Sequence, residues 1–205
     1  MKRASLKLLF VSADDHETDL VGGLKSYTAF VRATSVDDRL YSPLVVIFEP
    51  TGFQDLASEH AFCWNQLGIL HRNDPGAWPS EVPTDPRDSR WSFCFDGLQL
   101  FFNMSCPHHL QMRSRTLGER VTFVVNPREN FDRIASVKSK KGVKVRETIR
   151  GRVQIYNGGL VPPELGYFGD DQNLEWKQYQ LNEPDTTPLQ TCPWHYAGET
   201  DSHKD

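Results

Sequence analysis

The chain has 205 residues, 23 basic and 27 acidic side chains, a formal net charge of −4, and 38% apolar residues. That length suits one domain with a buried core, and the near-balanced charge argues against a dedicated nucleic-acid or membrane-surface binder. No stretch approaches the roughly 18 consecutive apolar residues of a membrane span.

The start, MKRASLKLLFVSADDHE, lacks a small-residue cleavage site before its acidic pair, so it does not read as a signal peptide. Within it, LKLLFVSA is expected to form a first strand. TDLVGGLKSYTAFVRAT follows as a helix weakened by Gly22 and Gly23, with Thr18 or Asp19 as its N-cap. SPLVVIFEP, an apolar run bounded by prolines, predicts a buried strand. In DLASEHAFCWNQLGILHRND, Leu56, Cys63, Leu67 and Leu70 recur at helical spacing and predict an amphipathic helix packed on a sheet.

Residues 73–90 carry prolines at 75, 79, 83 and 86 and are expected to form a long structured loop. WSFCFDGLQLFFNMS then predicts a hairpin. Asp96-Gly97 supplies the two left-handed positions of a type I′ turn, and Trp91, Phe93 and Phe95 share a face with Leu98, Leu100 and Phe102. RVTFVVNP predicts a further strand and RENFDRIASVKSK the start of a helix. NLEWKQYQL follows a Pro/Gly-rich segment. The expected fold class is α/β (α+β): a single domain over residues 1–196, with one small mixed sheet containing the hairpin and flanked by helices. The last residues, 197–205, have no apolar side chain after Ala197 and are expected to be a disordered tail.

The four cysteines, Cys63, Cys94, Cys106 and Cys192, are too scattered for a disulfide scaffold, which points to free thiols in a reducing cytoplasm. Lys138, Lys140, Lys141, Lys144, Arg146, Arg150 and Arg152 form the densest basic run. No aromatic residue interleaves it, so a solvated helix or loop is the expectation rather than a nucleic-acid surface. His60 and His71 read as structural histidines at a helix's apolar stripe and C-terminus.

Two motifs echo each other. Cys106-Pro107-His108-His109 and Cys192-Pro193-Trp194-His195 are both C-P-x-H, a formal Cys₂His₂ set that zinc would accept. The surroundings of the first permit another reading. A haem needs a strong axial ligand, an apolar slot and cations for its propionates. His108 or His109 could ligate, Phe101, Phe102 and Met104 could wall the slot, and Arg113, Arg115 and Arg128 could hold carboxylates bidentately. A haem sensor or carrier without catalysis stays open beside both.

NMSCPHHLQMRSRTLG followed by FVVNPRENFD resembles the YqcI/YcgG family. So do SPLVVIFEP, FCWNQLGILHRNDPGAWP, DPRDSRWSFCFDG and NLEWKQYQL, in the family's order, from about Leu6 to His195. The resemblance implies a haem b-dependent N-oxygenase of guanidino amino acids that uses dioxygen and an external reductase. It implies His109 as the axial ligand, with His108 a rival or distal group. It matches Arg113-Ser114-Arg115 to the family's basic pair at the cofactor, where Phe102, Asn103 and Arg128 are further candidates. A guanidinium substrate needs carboxylates, for which Glu49 and Glu175 are the candidates. No Gly-rich dinucleotide fingerprint is present, no nucleic-acid or membrane partner is expected, and a homodimer rests on base rates alone.

Overall fold

The computed structural model describes residues 5–49, 52–136, 138–171 and 173–194. Among them, five strands form one sheet in the order β1-β2-β5-β4-β3, with six helices around it. Strand β1 (Lys7–Val11) pairs in parallel with β2 (Leu44–Phe48), and the crossover between them carries α1 (His16–Ala33) and α2 (Val36–Arg39). The other neighbours, β2 with β5 (Thr122–Pro127), β5 with β4 (Leu98–Ser105) and β4 with β3 (Cys94–Phe95), run antiparallel. The expected α/β domain with one mixed sheet is therefore what the chain adopts.

One face of the sheet holds the main core. Val46, Phe48, Leu100, Phe102, Phe123 and Val125 meet Leu20 and Leu24 of α1, and Cys63, Leu67 and Leu70 of α3 (Leu56–Arg72). Helix α1 starts earlier than its pattern suggests. Its N-cap is Asp15, not Thr18 or Asp19, and the Asp19 carboxylate turns back to accept from the Ser12 N–H (3.0 Å) and Oγ (2.7 Å). Gly23, expected to weaken the helix, sits where a Cβ would run into the Leu9 side chain of β1. Helix α3 begins in a capping box built from Asp55 and Ser58.

The hairpin turn forms as expected, with φ of 52° at Asp96 and 68° at Gly97. Its first arm, however, ladders over only two residues. Tyr179 explains the early stop: its hydroxyl accepts the Phe93 N–H (3.1 Å) and lies 3.0 Å from the Leu100 carbonyl, replacing strand partners with a side chain. The loop over residues 73–90 is structured, with Asp74 Oδ1 accepting from both Gly76 N (2.9 Å) and Asp96 N (2.7 Å).

Phe101 and Asn103 of β4 point to the opposite face of the sheet, because side chains alternate along a strand. That face is covered by α4 (Arg128–Ile134), α5 (Lys140–Tyr156), α6 (Trp176–Tyr179) and a single 3₁₀ turn at Arg113–Arg115. All of the basic run but Lys138 lies on α5. Its lysines are exposed, as expected of a solvated helix, but Arg146 and Arg150 are half-buried and turn inward. No described helix is long and apolar enough to cross a membrane. His195 and the tail lie outside the described residues.

Candidate functional site

Between the second sheet face and α5 lies a cavity of about 230 Å³. Phe101 and Asn103 of the sheet, Ser114 and Arg115 of the 3₁₀ turn, and the apolar Phe131, Ile149, Val153 and Phe168 line it. Four arginines, Arg115, Arg128, Arg146 and Arg150, and one carboxylate, Glu175, line it, and of the four only Arg128 pairs with Glu175.

Glu175 is buried, with 1% of its side chain exposed. Its Oε1 accepts from Ser92 Oγ (2.6 Å) and lies 3.0 Å from the Tyr179 hydroxyl, while Oε2 is 3.3 Å from Arg128 Nε. Burial pushes its carboxyl up from 4.5 to about 7, against the pull of Arg128, Ser92 and Tyr179. A carboxyl that titrates there can hold a cation or exchange a proton near neutral pH.

The arginines are not equivalent. Arg115 is buried and gives its Nη1 and Nη2 to the carbonyls of Tyr179 (3.2 Å) and Gln178 (2.7 Å), and burial lowers it to about 10. It therefore joins the 3₁₀ turn to α6. Arg128 stacks 3.6 Å above the Phe168 ring and also pairs with Asp132 at 3.3 Å. Arg113 lies over Tyr156, 5.2 Å from its centroid, and does not line the cavity.

The Cys106–Met112 loop is organised around a residue that no sequence motif marked. The Glu183 carboxylate accepts the backbone N–H groups of Leu110 (3.0 Å), Gln111 (2.9 Å) and Met112 (3.2 Å), and lies 2.9 Å from His109 Nδ1. Burial acts to raise the Glu183 carboxyl, yet its bonds from His109, Gln111 and Met112 outweigh that and leave it below the ordinary value. With Nδ1 committed, the fully buried His109 presents an Nε2 that has no hydrogen-bond partner among the described residues. Burial lowers its pKa, against the pull of Glu183, and so favours the neutral ring. An imidazole with a carboxylate behind Nδ1 and a bare, neutral Nε2 is the donor arrangement of a histidine metal ligand. Beside it stands His60 of α3, its ring centroid 5.5 Å away and its own Nε2 also buried without a partner. Helical spacing alone had marked His60 only as a core histidine.

The structure thus gathers Asn103, Ser114, Arg115, Arg128 and Glu175 at one cavity. It sets His109 apart, beyond Arg115, which lies within electrostatic reach of both His109 and His60. His108 is half-exposed and tied to the buried Glu59, through Nδ1 (2.7 Å) and its backbone N–H (3.1 Å). Phe102 faces the main core against Phe93 and Phe123, so it does not wall the cavity. Glu49, at the end of β2, accepts the Ala13 N–H (2.6 Å) and lies in a separate surface depression beside Phe10 and Arg120. For the zinc reading, no three described His, Cys, Asp or Glu side chains gather as a metal would require.

The YqcI/YcgG family model matches residues 1–195. The chain belongs to the YqcI/YcgG family. This YqcI/YcgG member is 39% identical over 202 residues to "Putative N(omega)-hydroxy-L-arginine synthase DcsA" of Streptomyces lavendulae, covering 96% of the chain and 75% of that relative. It is 32% identical over 198 residues to the uncharacterized protein YcgG of Bacillus subtilis, covering 93% of the chain and 76% of YcgG. No solved structure matches it.

Proposed function

We propose that this YqcI/YcgG member is an N-hydroxylase of a guanidino or amino group on an arginine-like small molecule, and that it works with haem b. The observation that carries the reading is Glu175, a buried carboxylate on a cavity wall that already faces a guanidinium, that of Arg128. A substrate guanidinium would compete for the same carboxylate and gain charge-assisted hydrogen bonds to a buried partner. Since Glu175 is held near neutrality by burial, it can also take a proton from the nitrogen that is to be modified. Ser92 and Tyr179 fix the carboxylate's orientation from behind. The name of the Streptomyces lavendulae relative supports this choice of substrate class.

His109 would hold the haem iron through Nε2, with Glu183 fixing the ring, and His108 remains the rival ligand. Arg113 and Arg128 would meet the haem carboxylates, since the Arg115 guanidinium is already given to backbone carbonyls. Haem, once bound, supplies the redox chemistry that activates dioxygen, with electrons from an external reductase. The test is to incubate the purified protein with haemin, then with L-arginine, a reductant and air. An intense Soret band, its loss in His109→Ala, and a product heavier by one oxygen atom are expected. A wild-type protein that stays colourless with haemin and leaves arginine unchanged refutes the proposal.

A further inference from the structure

Helix α5 is a 17-residue helix of which only Gly142 is fully buried. Beside the apolar Ile149 and Val153, it presents two charged side chains to the cavity. Arg146 and Arg150 are one turn apart, so they share a face, and like charges at that spacing repel. Each donates to one backbone carbonyl, Arg146 to Ala135 and Arg150 to Leu165. Both lie against the Tyr167 ring, their guanidinium carbons 5.1 and 4.8 Å from its centroid. Neither forms an ion pair among the described residues. Glu175 faces Arg128 instead, and the nearby Asp132, whose side chain is 64% exposed, pairs with Arg128 as well. Two half-buried guanidinium groups, held side by side over a ring on a cavity wall, have no carboxylate in direct contact among the described residues, and Asp132 acts on Arg146 only at longer range.

We propose that Arg146 and Arg150 form a clamp for the α-carboxylate of the substrate, so that the cavity selects a zwitterionic amino acid with a cationic tail. This inference rests on the reading of Glu175 as the anchor of the tail. Glu175 then takes the cationic tail and α5 the carboxylate. Planar guanidinium groups suit a carboxylate because they offer paired N–H donors. The ligand then adds a contact to α5 beside the bonds that Arg146 and Arg150 already make to Ala135 and Leu165.

The test is calorimetric titration of the purified protein with two probes, L-arginine and agmatine, which keeps the guanidino tail but lacks the carboxylate. Wild type should bind arginine at least about tenfold more tightly than agmatine, the factor that one charge-assisted hydrogen bond commands. Arg146→Gln and Arg150→Gln should each remove most of that preference by weakening arginine and leaving agmatine unchanged or tighter. Arg150→Lys, which keeps the charge, should retain part of it. Arginine, but not agmatine, should slow amide exchange along α5. Equal affinity for the two probes, no binding of either, or parallel loss of both in folded variants overturns the clamp. So does loss of haem rather than of arginine preference, which would give the pair to the cofactor's carboxylates. None of these readouts needs turnover. A protein that prefers arginine but oxidises nothing keeps the clamp and loses the hydroxylase reading; one that hydroxylates both probes equally does the reverse.

Discussion

The substitution Glu175→Gln separates the charge of this buried carboxyl from its shape. In the folded protein the carboxyl titrates near 7 rather than at 4.5, chiefly because burial penalises its charged form. At 1.36 kcal/mol per pH unit, that difference is worth about 3 kcal/mol. The sign follows from linkage: a carboxyl with a raised folded pKa contributes stability that is fully present below 4.5 and lost as pH rises to about 7. Glutamine resembles the protonated acid and does not titrate. Urea unfolding at a series of pH values should therefore show wild type losing about 3 kcal/mol relative to the glutamine variant between pH 4.5 and 7, at up to ~1.4 kcal/mol per unit, with no further change above. Arg128 left without its carboxylate shifts the whole difference curve but not its slope. A difference that stays flat across this window would refute the burial argument, and with it the view that Glu175 is tuned to hold or release a proton near neutrality.

Glu183→Ala removes the acceptor of three backbone N–H groups and of His109 Nδ1. Part of that loss is made good by water, so a cost of about 2–4 kcal/mol is expected, with faster amide exchange at Gln111 and Met112 and weaker haem uptake. Because the Glu183 carboxyl is lowered in the fold, its contribution is present above the ordinary carboxylate range and should fade as pH falls through its folded value; wild type and variant should converge in acid. Tyr179→Phe strands the Phe93 N–H and the Leu100 carbonyl inside the protein, which should cost about 2–3 kcal/mol in thermal unfolding. Gly142→Ala gains helix propensity, yet the added Cβ would meet backbone atoms of Ser136. Overpacking should dominate, with a net loss of about 1–2 kcal/mol by urea unfolding.

The elements were legible because their signals are local. Alternation and apolar runs mark β2, β4 and β5, Asp96-Gly97 marks its turn, and the spacing of Cys63, Leu67 and Leu70 marks α3. The start of α1 departs from its pattern because Asp19, a good N-cap by type, gives its carboxylate to Ser12 instead. Of the residues expected at the cofactor, Asn103, Ser114, Arg115 and Arg128 do share a cavity, and Glu175 joins them from far along the chain. Phe102 does not, because strand alternation sends it to the other face from Asn103.

The family, the fold class and the residue types of the candidate site are thus properties of the sequence by itself: they depend on order and spacing along the chain. Which arginines are already committed to protein partners, which carboxyl has its pKa raised toward 7, and which nitrogen of His109 is left bare were decided only by tertiary structure. Each depends on burial and on partners distant along the chain. Glu183 reaches His109 across 74 positions, and Ser92 reaches Glu175 across 83. No spacing within a motif encodes such a meeting, because it is set by how the helices and loops close over the second face of the sheet.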